Sequence, residues 1–81
     1  MASNGVPLNT DVLRSARLSK GLTSRQVAAE FEALSGRELS HVTYMRWENG
    51  AHGPYPRNVP ILAEVVGLKV DELIKKLDAA A

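Results

Sequence analysis

The chain has 81 residues, 44% of them hydrophobic, no cysteine, and a net charge of only +1. That is room for one small domain; it excludes disulfides and thiolate metal sites, and no apolar run approaches the ~20 residues that a bilayer span needs. The charge is unevenly spread: Arg14 to Arg57 carries seven bases and four acids, 7 − 4 = +3, whereas residues 58–81 carry three bases and four acids, 3 − 4 = −1.

An anion-binding surface is therefore expected in the middle of the chain. An ordinary solvated surface is the plainer account of so small an excess. The opening "MASNGVPLN" lacks the basic and apolar regions of a secretory signal, and a cytoplasmic setting fits. Gly5 and Pro7 break regularity, so residues 1–8 read as a flexible N-terminal arm. A domain over 9–78 and a short tail over 79–81 follow.

The first helix starts at Asn9 or Thr10, either of which can cap, and ends at Gly21; Leu13, Ala16 and Arg17 share a face. The second has a clearer start. Thr23 and Gln26 have capping-box spacing, in which each side chain satisfies the other residue's free N–H. Val27, Phe31 and Leu34 recur at i, i+4, i+7 as an apolar stripe. Gly36 stops this helix, because it takes positive φ without a Cβ clash.

The third helix is the stretch "SHVTYMRWENG". Ser40 is its N-cap and Gly50 its end, and Leu39 and Tyr44 have the spacing of a hydrophobic staple. "AHGPYPR" follows as an irregular loop. The fourth helix runs from about Val59 to Val66, with Asn58 as cap, Pro60 in the first turn and Gly67 as stop. The fifth starts near Val70 and fades into "LDAAA". Asp71 and Glu72 suit its N-terminus, and Lys75 and Lys76 its later part. No segment alternates with period two. The expected fold is all-α, a compact five-helix bundle. Its core is Leu13, Ala16, Leu22, Val27, Ala28, Phe31, Tyr44, Trp47, Leu62, Ala63, Val66, Leu68, Leu73 and Ile74.

Two consecutive helices, the second with its own cap, are what a helix-turn-helix needs. The stretches "LRSARLSKGLT", "VAAEF", "LSHVTYMRWENG" and "ILAEVVGLKVDELI" resemble the phage repressor and Cro-type (Xre family) helix-turn-helix domain, lambda-repressor-like, over roughly residues 12–75. The resemblance implies a transcriptional regulator that binds a double-stranded DNA operator, with the third helix in the major groove. It also implies a homodimer, here weak or induced by DNA because no strong seam is visible. Two features depart from the family pattern. "EFEALSGREL" is about six residues longer than the usual link, roughly 1.5 helical turns, which reads as a longer second helix plus a wider turn. Lys69 stands where a Ser or Thr cap is usual.

On a helical wheel Tyr44 and Trp47 centre the buried side of the third helix. Val42 lies almost opposite, flanked by Met45 and Arg46, with His41 at the N-terminal edge. The resemblance makes these four the base-contacting residues. Arg46 suits guanine O6 and N7, Val42 and Met45 suit thymine methyls, and His41 can donate or accept. The alternative for the apolar pair is cover by the longer second helix or its turn. Thr23, Ser24, Arg25, Thr43, Asn49 and Arg57 are the expected phosphate contacts, with capping or simple solvation as the competing account. His52 and Tyr55 are weaker candidates. Arg17 and Glu48 match family positions that form a structural ion pair.

No catalytic group, metal site or cofactor is expected. There is no placed nucleophile–base pair and no glycine-rich phosphate loop, and His41 and His52 match no zinc pattern. Dimer contacts are expected from Val59, Pro60, the end of the fourth helix and the fifth. The rival function is an antitoxin or adaptor that uses the same fold to bind a protein; Val42 and Met45 are then its interface.

Overall fold

The computed structural model describes residues 5–74. Five α-helices follow one another: α1 (Thr10–Ser19), α2 (Ser24–Ser35), α3 (His41–Asn49), α4 (Val59–Val66) and α5 (Val70–Leu73), with a 3-10 turn at Pro56–Asn58 before α4. Among the described residues there is no strand, so the class is all-α. None of these helices is long and apolar enough to cross a membrane.

Local chemistry sets the helix ends. Thr23 Oγ1 accepts from the Gln26 N–H at 3.1 Å, and Gln26 Oε1 accepts from the Thr23 N–H at 2.8 Å. This capping box stabilises α2 by about 1 kcal/mol. Ser40 Oγ accepts from the Thr43 N–H at 3.1 Å and caps α3. Gly36 closes α2 at φ 71° and Gly50 closes α3 at φ 82°, a region that a side chain would strain. The extra length before Ser40 becomes a 12-residue α2 and the turn 36–40. Glu32 holds that turn, its Oε2 accepting from the Leu39 N–H at 2.8 Å.

α2 packs on α3 and α4, and α1 on α3, α4 and α5. Leu13, Phe31, Tyr44, Leu62 and Leu73 are fully buried where these helices meet. Each contributes about 1.5–3 kcal/mol relative to exposure. Lys20 Nζ donates to the Val65 carbonyl at 3.0 Å. That carbonyl lies in the last turn of α4, where a cation also suits the helix dipole.

Several sequence expectations need correction. Residues 5–8 do not form a loose arm. The Val6 N–H donates to the Pro54 carbonyl at 2.8 Å, Leu8 is buried, and Leu8 pairs with Ile74 in an isolated antiparallel bridge. Gly53 allows this close approach, because a Cβ there would run into the Val6 carbonyl. Leu34 lies off the buried stripe of α2, 53% exposed, and Ala28 takes its place. Ala16, Leu22, Leu68 and Ile74 only flank the core, whereas Leu8, Leu39, Val59 and Val65 belong to it.

Asn58 does not cap α4; its Oδ1 accepts from Arg37 at 2.6 Å instead. Asn9 occupies the cap position of α1 but makes no side-chain bond there. At Lys69 the backbone N–H donates to Glu72 Oε1 at 2.8 Å. A lysine side chain has no acceptor to return the bond, so only half a capping box forms. Val59 is 3% exposed and cannot serve a dimer surface as expected, although Pro60 and Val70 remain exposed. The expectations for Lys75, Lys76 and the "LDAAA" tail lie outside the described residues.

Candidate functional site

α3 is locked from one side. Tyr44 is wholly buried and Trp47 nearly so. The Trp47 ring meets Phe31 of α2 edge-on, centroids 5.9 Å apart at 70°, and Tyr44 at 6.4 Å and 73°. Edge-to-face contact sets the positive rim of one ring against the negative face of the other.

Glu48 adds a polar lock. Its carboxylate accepts from Arg17 Nε at 2.7 Å, from Arg17 Nη2 at 3.0 Å and from the Tyr44 hydroxyl at 2.6 Å. Arg17 Nη1 donates to the Leu22 carbonyl at 2.9 Å. One guanidinium thus fastens α1 to the end of α3 and to the turn before α2. Burial alone would push the Glu48 carboxyl up, but the bonds from Arg17 and Tyr44, with the Arg17 charge, hold it below its ordinary range. The bond to Glu48 raises Arg17 further. Burial, then the bond to the carboxylate, pushes the Tyr44 hydroxyl far above its ordinary value.

The opposite side of α3 is bare. Val42 is 48% exposed and Met45 44%. Arg46 is exposed and His41 partly so. Neither the longer α2 nor the turn 36–40 covers the apolar pair. The structure therefore collects His41, Val42, Met45 and Arg46 on one uncovered flank of a rigidly held helix. Such a flank can enter a groove or meet another protein.

The polar candidates are less gathered. Thr23, Ser24 and Arg25 open α2, Thr23 and Arg25 exposed and Ser24 partly buried. Thr23 is engaged in its capping box. Thr43 accepts from the Ser40 hydroxyl at 3.0 Å. Asn49 closes α3 and Arg57 lies in the 3-10 turn, both exposed. Of these, only Thr43 and Arg57 line the cleft of about 460 Å³ that opens beside Arg46, between the turn 36–40 and the loop 52–58. His52 and Tyr55 line it too.

Arg37 lines the same cleft, and sequence reasoning missed it. Its only sequence signal is a base within the longer turn. The partner Asn58 is 21 positions away. Among the described residues no group of three or more His, Cys, Asp or Glu is placed to hold a metal. No family model matches the chain, and no curated protein and no solved structure matches it either.

Proposed function

We propose that the protein is a sequence-specific double-stranded DNA-binding transcriptional regulator of the repressor/Cro type, with α3 as the helix that enters the major groove. The observation that carries this reading is the contrast between the two sides of α3. One side is fixed by Tyr44, Trp47 and Glu48. The other presents an arginine, a histidine and two apolar side chains to solvent. The resemblance of residues 12–75 to the Xre family and the caps of α2 and α3 support it. In this arrangement Arg46 forks onto guanine, and Val42 and Met45 pack on thymine methyls. His41, at the N-terminal end of α3, meets a base edge. Thr23, Ser24, Arg25, Thr43, Asn49 and Arg57 contact the backbone, and two copies bind two half-sites. The Arg17–Glu48 bond holds the reading helix in place.

A second reading rests on the same apolar pair. Val42 and Met45 also suit a hydrophobic patch on a protein, as in an antitoxin or adaptor. Salt dependence separates the two. Binding through phosphates releases counterions, so log affinity falls with log salt by about 0.9 per phosphate neutralised. Steep weakening of duplex binding with salt is expected. No duplex binding at low salt overturns the regulator reading.

A further inference from the structure

A partly buried guanidinium with no ion-pair partner carries an unbalanced charge, which is costly until an anion arrives. Arg37 is in that position. Its Nη2 donates to Asn58 Oδ1 at 2.6 Å, and its Nε is buried without a partner. A neutral amide satisfies one donor but does not offset the charge. Arg46 and Arg57 line the same cleft. Among the described residues none of the three arginines forms an ion pair, and neither does Glu38, the single carboxylate in the lining. The cleft is thus cationic and roomy, and it opens beside α3 through Thr43 and Arg46.

We infer that this cleft holds a backbone phosphate of the bound duplex, gripped by Arg37 and Arg57, next to the groove that α3 reads. The inference rests on the DNA-binding reading and adds to it a residue and a reason for the long turn. The turn 36–40 carries Arg37 to the cleft and Asn58 fixes one arm of its fork, and a guanidinium is the side chain that suits a phosphodiester. A duplex phosphate is preferred to a free one because the cleft is continuous with the bare flank of α3.

The test is duplex affinity against salt for the wild type, Arg37→Gln and Arg37→Lys, with circular dichroism to check folding. Arg37→Gln is expected to reduce the magnitude of the log–log slope by about 0.9 per bound copy, alike on all duplex sequences. Arg37→Lys should keep the slope but bind more weakly, since the charge stays and the fork is lost. An unchanged slope in folded Arg37→Gln, while the wild type binds DNA, overturns the cleft and leaves the regulator reading standing. No wild-type binding at low salt overturns both. Should Arg37→Gln not fold, Arg57→Gln gives the same comparison at an exposed site, and an unchanged slope there is equally fatal. Inorganic phosphate alone is titrated by NMR as a separate arm, where weak shifts around residues 37 and 57 are expected. Tight, saturable phosphate binding without duplex binding assigns the cleft to a free phosphate and overturns the duplex.

Discussion

Glu48 receives both arms of the Arg17 fork, at 2.7 and 3.0 Å, across 31 positions of sequence. The two side chains keep only 11% and 14% of their exposure, so the pair is largely out of water. It joins the first helix to the end of the third and fixes the angle from which the bare flank is presented.

Removing one partner leaves the other charge stranded. Glu48→Gln should cost about 2 kcal/mol, less than the roughly 3–5 of a wholly buried pair, because part of each side chain still meets water. For a domain of this size that is about 8–16 °C in Tm. With Arg17→Met already in place, adding Glu48→Gln should cost much less than it does alone. Thermal unfolding of the four proteins checks this. Strict additivity would show that the bond carries no coupling.

The same cluster predicts stability loss at both ends of the pH range. The Glu48 carboxyl is held below its unfolded value of about 4.3. The unfolded chain therefore binds the proton first as pH falls. The Glu48 contribution is complete above that unfolded value and is lost as pH drops through the folded one. Tyr44 acts in the opposite sense. Its hydroxyl is raised above the unfolded value of about 10, so its contribution is full below that pH and lost as pH rises. Urea unfolding across the pH range should show Glu48→Gln flattening the acid limb and Tyr44→Phe the alkaline one. Limbs that keep their slopes would contradict the assignment.

Much of the fold was legible because its signals are short-range. Thr23 with Gln26, Ser40 with Thr43, and the glycines at 36, 50 and 67 act within a few positions of the backbone groups they satisfy. What escaped the sequence depends on segments meeting from afar. Leu8 is buried because it pairs with Ile74, and nothing near Leu8 announces that. Asn58 has the look of a cap, but Arg37 competes for its oxygen and wins. Leu34 continues the stripe of α2, yet it stays 53% exposed. The bare flank of α3 was readable from the wheel, whereas the cleft beside it was not, because its walls come from two separate loops.

The packing of residues 5–8 can be tested through Gly53. An alanine Cβ there would collide with the Val6 carbonyl. Gly53→Ala should lift this segment, expose Leu8 and destabilise by about 1–3 kcal/mol. Amide exchange should quicken at Val6 and Asn9, whose N–H groups donate to Pro54 and Leu73. Unchanged stability with both amides still protected would contradict the packing.

Val42 and Met45 should matter for binding and not for folding. Val42→Ser and Met45→Gln, at half-exposed positions, should each change stability by no more than about 0.5 kcal/mol. Both should weaken the preference for thymine at the positions they touch, by about 1–3 kcal/mol or less per base pair. Urea unfolding and competition between duplexes separate the two effects. A large stability loss would return the pair to the fold.

Whether the bare flank of α3 reads bases is decided by selecting bound sequences from random duplexes. An enriched motif of two half-sites centred about 34–36 Å apart is expected. Arg46→Ala should relax one position of each half-site, while Arg57→Ala should leave the motif intact and weaken all sequences alike. A wild-type pool with no enriched motif at low salt, or a motif that Arg46→Ala leaves unchanged, would contradict it.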